Sequence, residues 1–391
     1  MPDGADPVQI RVIDSIATLD AGQWDALADP AGNPFVGHAF LLALEESGSA
    51  VASQGWQAQH LAVEDGEGRL IAAAPMYLKS HSQGEYVFDH GWAQAWEQAG
   101  GRYYPKLQAA VPFSPVPGPR LLTGGAIDTP RLRQALAAAM MEVARRMDLS
   151  SVHVTFCRED EQAALVEAGF LPRLGMQYHW HNDGYETFDD FLGALNSRKR
   201  KAIRKERAAV VREGLIVRAL NGDDIKPRHW DAFFHFYMDT SDRKWGYPYL
   251  TREFFARLGE TMANQVVLIM AEDDGQPVAG ALNLVGRDCL FGRNWGCIAD
   301  FRFLHFEACY YQAIDYAIAH GLSRVEAGAQ GQHKVQRGYL PVATHSAHWI
   351  RDEGFRQAVE NFVRREERAM RHEMEAVATQ SPFRQEGDGK H

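Results

Sequence analysis

The stretches that decide the fold are AVEDGEGRLIAAAPMYLK, residues 62–79, and MAEDDGQPVAGALNLVGR, residues 270–287. Each contains a short apolar strand, an acidic turn centred on glycine, and a second apolar strand rich in small residues. This pattern is typical of a β-hairpin. Because the same unit occurs once in each half of the chain, we predict two domains built on one plan.

The segments that follow the two hairpins also match. In the first half, the strand-like EYVFD and PGPRLLTG lead to a helix over 129–147, and then to the buried-strand pattern SVHVTF. In the second half, CLFGRNWGC leads to a helix over 303–321, and then to SRVEAGAQG. A helix between strands places the next strand beside an earlier one. We therefore predict an α/β (α+β) fold in which each domain is a mixed, mainly antiparallel sheet flanked by helices.

Composition excludes several classes of protein. The chain has 391 residues, of which 46% are hydrophobic and 24% are charged, and its net charge is −10. These values indicate a globular protein and argue against a surface built entirely for polyanions. The N-terminal sequence does not resemble a signal peptide, and no apolar run reaches the roughly 18–20 residues of a membrane helix. We expect a soluble, cytoplasmic protein whose four cysteines are reduced.

A basic segment separates the two halves. Residues 196–214 carry eight cationic side chains and two glutamates, a local net charge of +6. A solvated cationic helix explains this pattern as well as contact with a polyanion does. Farther on, an apolar stripe over about 355–378 predicts a C-terminal helix that either docks on the body or forms an oligomer contact. We expect the last residues, 381–391, to be disordered.

Several long segments resemble a known family. They are SQGEYVFDHGWAQAW, YYPKLQAAVPFSPVPGPRLL, DRKWGYPYL, LHFEACYYQAIDYAI and GAQGQHKVQRGYLP. Together with the duplicated plan, they resemble the bacterial peptidoglycan biosynthesis/recognition family of GNAT-like proteins, which is similar in plan to the Fem-type aminoacyltransferases. The resemblance covers nearly all of residues 8–375. It implies tandem GNAT-like domains and transfer of an acyl or aminoacyl group to an amine.

The resemblance also suggests domain boundaries and donors. We expect a first GNAT-like domain over 8–195, the basic helix over 196–214, a second domain over 215–350, and the C-terminal helix over 351–380. No tightly bound cofactor is expected, but acyl-CoA is a possible donor substrate. Its pyrophosphate would lie on the glycine-rich loop RLLTGGAIDTP, at Arg120, Gly124 and Gly125. Aminoacyl-tRNA is the other possible donor, since a helical insertion of Fem-type proteins is associated with handling it.

Acyl transfer to an amine needs a base and stabilisation of the oxyanion. The second half offers Glu307 at the start of its helix and Glu326 on the following strand, which we expect to lie close together. The predicted catalytic residues are Glu307, Glu326, His305 and Tyr339. For both glutamates, a structural salt bridge is the alternative interpretation.

Charged and aromatic residues near these positions are candidates for binding substrate. In the second half they are Arg243, Lys244, Trp245, His333, Lys334 and Arg337, and in the first half they are Asp89 and Lys106. Internal ion pairs are the alternative for most of them. His179 and His181 lie on one face of a strand without a visible third ligand, so no metal site is predicted. The competing functional hypothesis is a catalytically silent module that binds a cell-wall or peptide ligand.

Overall fold

The computed structural model describes residues 8–29, 31–126, 128–243, 247–328 and 331–384. Its strands, in chain order, are β1 (Gln9–Ile13), β2 (Trp56–Ala58), β3 (His60–Glu64), β4 (Leu70–Ala74), β5 (Met76–Lys79), β6 (Lys106–Ala109), β7 (Ser151–Cys157), β8 (Leu171–His181), β9 (Ile216–Asn221), β10 (Val266–Asp273), β11 (Gln276–Val285), β12 (Cys289–Cys297), β13 (Arg324–Glu326) and β14 (Leu340–Ile350).

The helices lie between these strands. They are α1 (Ala21–Ala28), α2 (His38–Glu46), α3 (His90–Gln98), α4 (Thr129–Arg146), α5 (Glu159–Glu167), α6 (Phe188–Ala194), α7 (Ser197–Arg212), α8 (Pro227–Arg243), α9 (Arg252–Thr261), α10 (Leu304–Phe306), α11 (Gln312–Ala319) and α12 (Glu353–Ala378). A π-helical turn, Glu307–Tyr311, joins α10 to α11. None of the described helices is long and apolar enough to cross a membrane.

The chain divides into two compact units. The first comprises the described residues up to Gly175 together with Ala343–Arg371, and the second comprises Met176–Val342 and the described residues from His372 onward. The boundaries therefore differ from those predicted at 195 and 350. In the first unit β14 pairs antiparallel with β7, and in the second the end of β8 pairs antiparallel with β13. Each unit is thus completed by a strand from the other half of the sequence.

The first unit contains a three-stranded antiparallel sheet in the order β1-β3-β4 and a larger set in the order β2-β5-β6-β7-β14. The predicted hairpin over 62–79 is confirmed by the pairing of β3 with β4. The helix α4 connects β6 to the parallel strand β7. Its buried face, which includes Leu136 and Met140, packs in the core with Leu107 and Val152 of these strands.

The second unit repeats this plan in the order β8-β13-β12-β11-β10-β9. The hairpin predicted over 270–287 is the antiparallel pair β10 and β11. The helices α10 and α11 connect β12 to the parallel strand β13. Val325 of β13 and Leu290 of β12 belong to one core with Tyr311 and Ile314 of the helical connection.

The C-terminal helix is present as predicted. In the first unit its Phe355, Val359 and Val363 are buried in one core, so this part of the apolar stripe docks on the protein's own body. An oligomer contact through this helix stays a prediction. The expectation of disorder is wrong for residues 381–384, because Pro382 O accepts a hydrogen bond from Asn196 N at 2.9 Å and Arg384 N donates to Ala194 O at 3.0 Å. The remaining residues of that segment, 385–391, lie outside the described residues.

Candidate active site

The parallel strands β12 and β13 of the second unit separate at Glu326. Their register runs from Cys289 opposite Arg324 to Phe291 opposite Glu326, where β13 ends. The strand β12 continues to Cys297 and pairs there with β11. At the point of separation the backbones are close, since a Cβ on Gly292 would lie 3.2 Å from the carbonyl oxygen of Glu326. The carboxyl end of β13 therefore opens where ligands commonly bind in sheets that contain parallel strands.

Glu326 is a buried carboxyl that is incompletely paired. Its side chain is 6% exposed, and Oε1 accepts a hydrogen bond from Arg324 Nε at 3.2 Å. Its second oxygen, Oε2, is buried and has no hydrogen-bond partner among the described residues. Burial raises the pKa of Glu326 to about 7, although the charge of Arg324 opposes this shift. A carboxyl with this pKa can accept a proton near neutral pH.

His179 lies beside this carboxyl. It is opposite Glu326 in the antiparallel pair of β8 and β13, and its Nδ1 is 4.0 Å from Glu326 Oε1. Burial, with a smaller effect of His181, lowers the pKa of His179 to about 3. The imidazole is therefore neutral at physiological pH and able to accept or donate a proton. Sequence analysis considered His179 only as a metal ligand and missed its contact with Glu326.

The predicted proximity of Glu307 and Glu326 is wrong. Val325 packs with the helical connection, so strand alternation directs the neighbouring Glu326 to the opposite face of the sheet. Glu307, in the π-helical turn, instead accepts hydrogen bonds from Arg207 Nε at 3.2 Å and Nη2 at 3.0 Å. The same Nη2 reaches Asp315 at 2.6 Å, and Gln312 donates to Glu307 at 2.8 Å. These contacts agree with the structural alternative for Glu307.

Several of the other predicted site residues of the second half surround Tyr310 and Phe306. The hydroxyl of Tyr310 is 2.9 Å from His333 Nε2, and its ring contacts His305 and Tyr339 at centroid distances of 5.4 Å each. Tyr339 is fully buried, and its hydroxyl donates to the carbonyl oxygen of Tyr310 at 3.3 Å. This aromatic cluster lies on the side of the helical connection, whereas Glu326 lies on the other side of β13.

Two cations of the segment 328–341 are held internally. Arg337 donates to both carboxylate oxygens of Glu206 at 3.0 Å, and its guanidinium carbon lies 3.4 Å from the ring centroid of Phe306. Lys334 Nζ donates to the carbonyl oxygens of Ala327 at 2.5 Å and Gly328 at 3.0 Å. Burial lowers the pKa of Lys334 to about 8. Lys334 thus fixes the backbone that follows Glu326, and residues 329 and 330 lie outside the described residues.

The first unit brings Asp89 and Lys106 together in a buried network. Lys106 Nζ donates to Ser82 Oγ and to Glu85 Oε2, each at 2.8 Å, and also to Asp89. Tyr103 donates to Asp89 Oδ2 at 2.6 Å. Burial alone would lower the pKa of Lys106, but the two carboxylates raise it. Burial similarly opposes ionisation of Asp89, and Lys106 outweighs it, so the pKa of Asp89 is lowered.

In the loop predicted to bind a pyrophosphate, Arg120 is held by contacts within the protein. Arg120 is fully buried, and its guanidinium donates to the carbonyl oxygens of Thr155 at 3.0 Å, Pro119 at 3.1 Å and Val116 at 2.7 Å. Gly124 and Gly125 have φ angles of +59° and +71° and are exposed. A Cβ on Gly124 would lie 2.8 Å from Ala26 O, so this glycine is explained by packing. Three of the five N–H donors of this buried guanidinium are thus used by backbone carbonyl oxygens.

The turn DRKWGYPYL gives little information about a site. Arg243 is the last residue of α8, and Lys244 and Trp245 lie outside the described residues. For these three residues a binding role stays a prediction. Among the described residues there is no cluster of three or more His, Cys, Asp or Glu that could hold a metal ion.

Comparison with known proteins assigns the chain to a family. A family model described as FemAB-like, peptidoglycan biosynthesis/recognition, matches residues 15–385. The chain belongs to this family. A search of curated proteins finds no significant match.

Solved structures support the fold of this FemAB-like protein. FemX matches with a TM-score of 0.51 and 12% identity over 80% of this chain and 92% of that one. The C-terminal domain of a putative lysylphosphatidylglycerol synthetase from Agrobacterium fabrum matches with a TM-score of 0.55 and 10% identity over 89% of this chain and 97% of that one. A conserved protein of unknown function from Bacteroides thetaiotaomicron matches with a TM-score of 0.51 and 12% identity over 88% of this chain and 100% of that one. At these identities the similarity establishes the fold alone, which is the predicted tandem α/β arrangement.

The raised pKa of Glu326 makes a prediction about stability. The folded state binds the Glu326 proton more tightly than the unfolded state does. Protonated Glu326 therefore adds to the free energy of unfolding at low pH, and this stabilisation is lost as the pH rises through about 7. Glutamine does not titrate. The melting temperature of Glu326→Gln should therefore increase relative to wild type between pH 5 and pH 8. The exposed Glu253→Gln is the control. If the difference in melting temperature from wild type did not depend on pH for either variant, the raised pKa of Glu326 would be contradicted.

Proposed function

We propose that this FemAB-like protein is an N-acyltransferase in which Glu326 is the general base. The observation that carries the proposal is a buried carboxyl with an unpartnered oxygen and a pKa near 7, at the end of a strand where parallel pairing stops. A buried carboxyl oxygen without a partner costs folding free energy, and such costs concentrate at functional sites. By contrast, the contacts made by Glu307 and Arg337 explain those residues structurally.

The reaction follows from the chemistry of amines. At neutral pH most alkylamines are protonated and cannot attack a carbonyl carbon. Glu326 would accept the first proton, and the free amine would attack the acyl carbon of the donor. The C–N bond forms, the bond from the acyl carbon to sulfur or oxygen breaks, and the leaving group takes the second amine proton. Deprotonation and alignment are the steps to which a positioned base contributes.

Two donor classes fit the proposal, namely an acyl-CoA thioester and an aminoacyl-tRNA. The helix α7 supports the second. Its Arg198, Lys201 and Lys205 are exposed, and this arrangement suits sequence-independent contact with phosphates. The buried Arg120 removes one argument for a coenzyme A site in the first unit. The acceptor is a small-molecule or peptide amine, and the family description favours a precursor of the cell wall.

The test is direct incubation of the purified protein with donors and acceptors. Acyl-CoA thioesters and aminoacyl-tRNAs are each combined with a panel of primary amines and amino-terminal peptides, and amide products are detected by mass spectrometry. We expect amide formation with one donor class. Binding of a peptide without product from any donor would instead support the silent binding module, and it would contradict the proposal.

If aminoacyl-tRNA is the donor, the charge of α7 should control its affinity. Replacing Arg198, Lys201 and Lys205 together with glutamine should reduce the slope of log K against log salt by about 2 to 3, because about three phosphate contacts are lost. The matched control changes Arg364, Arg365 and Arg371, which are exposed on α12. Equal slopes for tRNA binding by the two triple variants would show that α7 is only a solvated cationic face.

A further inference from the structure

A cavity of about 490 Å³ lies in the second unit. Its volume is within the range of small-molecule sites. The cavity is formed by the end of β8, the turn after it, the last residue of α6, the backbone after the 3-10 helix Gln332–Arg337, and the C-terminal segment. The lining side chains that matter for recognition are His179, His181, Asp183, Tyr185, Phe383 and Arg384.

One wall of this cavity is held in place by backbone contacts. In the C-terminal segment, Arg384 N donates to Ala194 O at 3.0 Å and Arg384 Nε donates to Leu195 O at 3.3 Å. The ring of Phe383 contacts that of Phe191 at a centroid distance of 6.2 Å. Opposite charges are available at Asp183 and Arg384, and Tyr185 and Phe383 supply aromatic surface. Carboxylates and aromatic faces are the groups that bind an ammonium.

His179 connects the cavity with the candidate base. It lines the cavity, and its Nδ1 is 4.0 Å from Glu326 Oε1. Its Nε2 is 3.3 Å from Gln177 Oε1. The buried Glu326 Oε2 has no partner among the described residues. Catalytic hydrogen bonds are often long without substrate and shorten in the complex, so a separation of 4.0 Å is compatible with proton transfer.

We propose that this cavity binds the primary-amine acceptor and that His179 passes the acceptor's proton to Glu326. This inference rests on the proposed function of Glu326. His179 acts as the Nδ1–H tautomer: Nε2 exchanges its contact with Gln177 for the ammonium and accepts one proton from it, while Nδ1 gives its proton to the Glu326 carboxylate. The amine then attacks the thioester or ester donor as described above. Glu326 finally releases the proton to solvent, and a change of tautomer restores His179.

The pH dependence of this step includes the titratable and charged groups around it. They are His181 and Asp183 from the end of β8 and the following turn, Asp288 from the turn before β12, Cys289 of β12, Arg324 of β13, Lys334 from the segment after β13, and Arg384 from the C-terminal segment. Arg324 is the nearest of the charges to Glu326, at 3.2 Å. Arg324 is unchanged in the variants used below, so a difference in activity or binding between them reports on His179 and the cavity.

Binding is tested with phenethylamine as the probe and the full chain labelled with ¹³C in its histidine imidazoles. In wild type, saturable shifts of the His179 and His181 resonances are expected. Ala194→Trp should abolish them, because Ala194 lines the cavity and the indole would fill it. The exposed Ala376→Trp on α12 is the matched control and should behave as wild type. Absence of shifts in wild type, or shifts that persist in Ala194→Trp, would overturn the cavity as an amine site.

Catalysis is tested with the same variants and with His179→Gln. Ala194→Trp should raise the acceptor KM at least about tenfold and leave the donor KM unchanged. His179→Gln should lower kcat about 10²-fold, which is typical for a residue that transfers a proton, at an unchanged acceptor KM. His320→Gln, on an exposed histidine of the same unit, is its control.

These outcomes separate the inference from the proposed function. Normal kinetics in both Ala194→Trp and His179→Gln, together with an inactive Glu326→Gln, would overturn the inference and leave the proposed function intact. No transfer by wild type would overturn the proposed function and the His179 step together. In that case the titration with phenethylamine would still decide whether the cavity binds amines.

Discussion

Glu326→Gln should lose transferase activity by a factor of about 10² to 10⁴, the usual contribution of general base catalysis. The amide has nearly the shape of the carboxyl but cannot accept the amine proton at neutral pH. The donor and acceptor KM values should change little, because Glu326 acts in the chemical step. Steady-state kinetics with the donor found for wild type provides the measurement.

Two further variants make this result specific. Glu253→Gln removes an exposed carboxylate of the same unit and should keep full activity. Glu307→Gln leaves Arg207 without its bidentate partner, so it should lower the melting temperature and change kcat little. If Glu307→Gln abolished turnover in a fully folded protein while Glu326→Gln remained active, the base would be on the other face of the sheet.

Lys106→Met should destabilise the protein by about 3–5 kcal/mol, because it leaves the buried carboxylate of Asp89 without its cation and Glu85 with only the more distant Lys79. Both carboxylates have side chains that are 2% exposed, so solvent cannot replace the lost ammonium. Equilibrium unfolding in urea measures the change. The triple variant Lys106→Met, Glu85→Gln, Asp89→Asn removes the uncompensated charges and should recover a large part of the loss.

Lys79→Met is the matched control for this experiment. Burial lowers the pKa of Lys79 to about 7, and its Nζ is 4.0 Å from Glu85 Oε1. The ammonium of Lys79 is thus less strongly held than that of Lys106, and its loss should cost less. A loss below about 1 kcal/mol for Lys106→Met would contradict the network as the origin of stability and would favour a substrate-binding role for Lys106.

The general plan of each unit could be predicted from local patterns. The acidic glycine turns at 65–69 and 273–276 identify hairpins, and the helix over 129–147 is marked by an apolar repeat and an early proline, Pro130. The exchange of β8 and β14 between units could not be predicted in this way. It depends on pairings such as Trp349 with Val152, between residues distant in sequence.

The site was predicted less well than the fold, for physical reasons that differ between residues. The separation of Glu326 from Glu307 follows from strand period, since apolar Val325 identifies the face that meets the helix. The contact of Glu326 with His179 requires the pairing of β13 with β8, which no local signal shows. The charges of Arg337 and Arg120 suggest ligand binding, but the pairing of Arg337 with Glu206 and of Arg120 with the carbonyl oxygen of Thr155 joins residues distant in sequence, which no local pattern shows.

The pH dependence of kcat, measured for wild type and Glu326→Gln at saturating donor and acceptor, tests the central claim most directly. For wild type, kcat should rise with pH and level off above about 7, since Glu326 must be ionised to accept the proton and its burial raises its pKa to about 7. Glu326→Gln should show a low kcat without that inflection. A wild-type profile that is retained in Glu326→Gln would show that another group is the base.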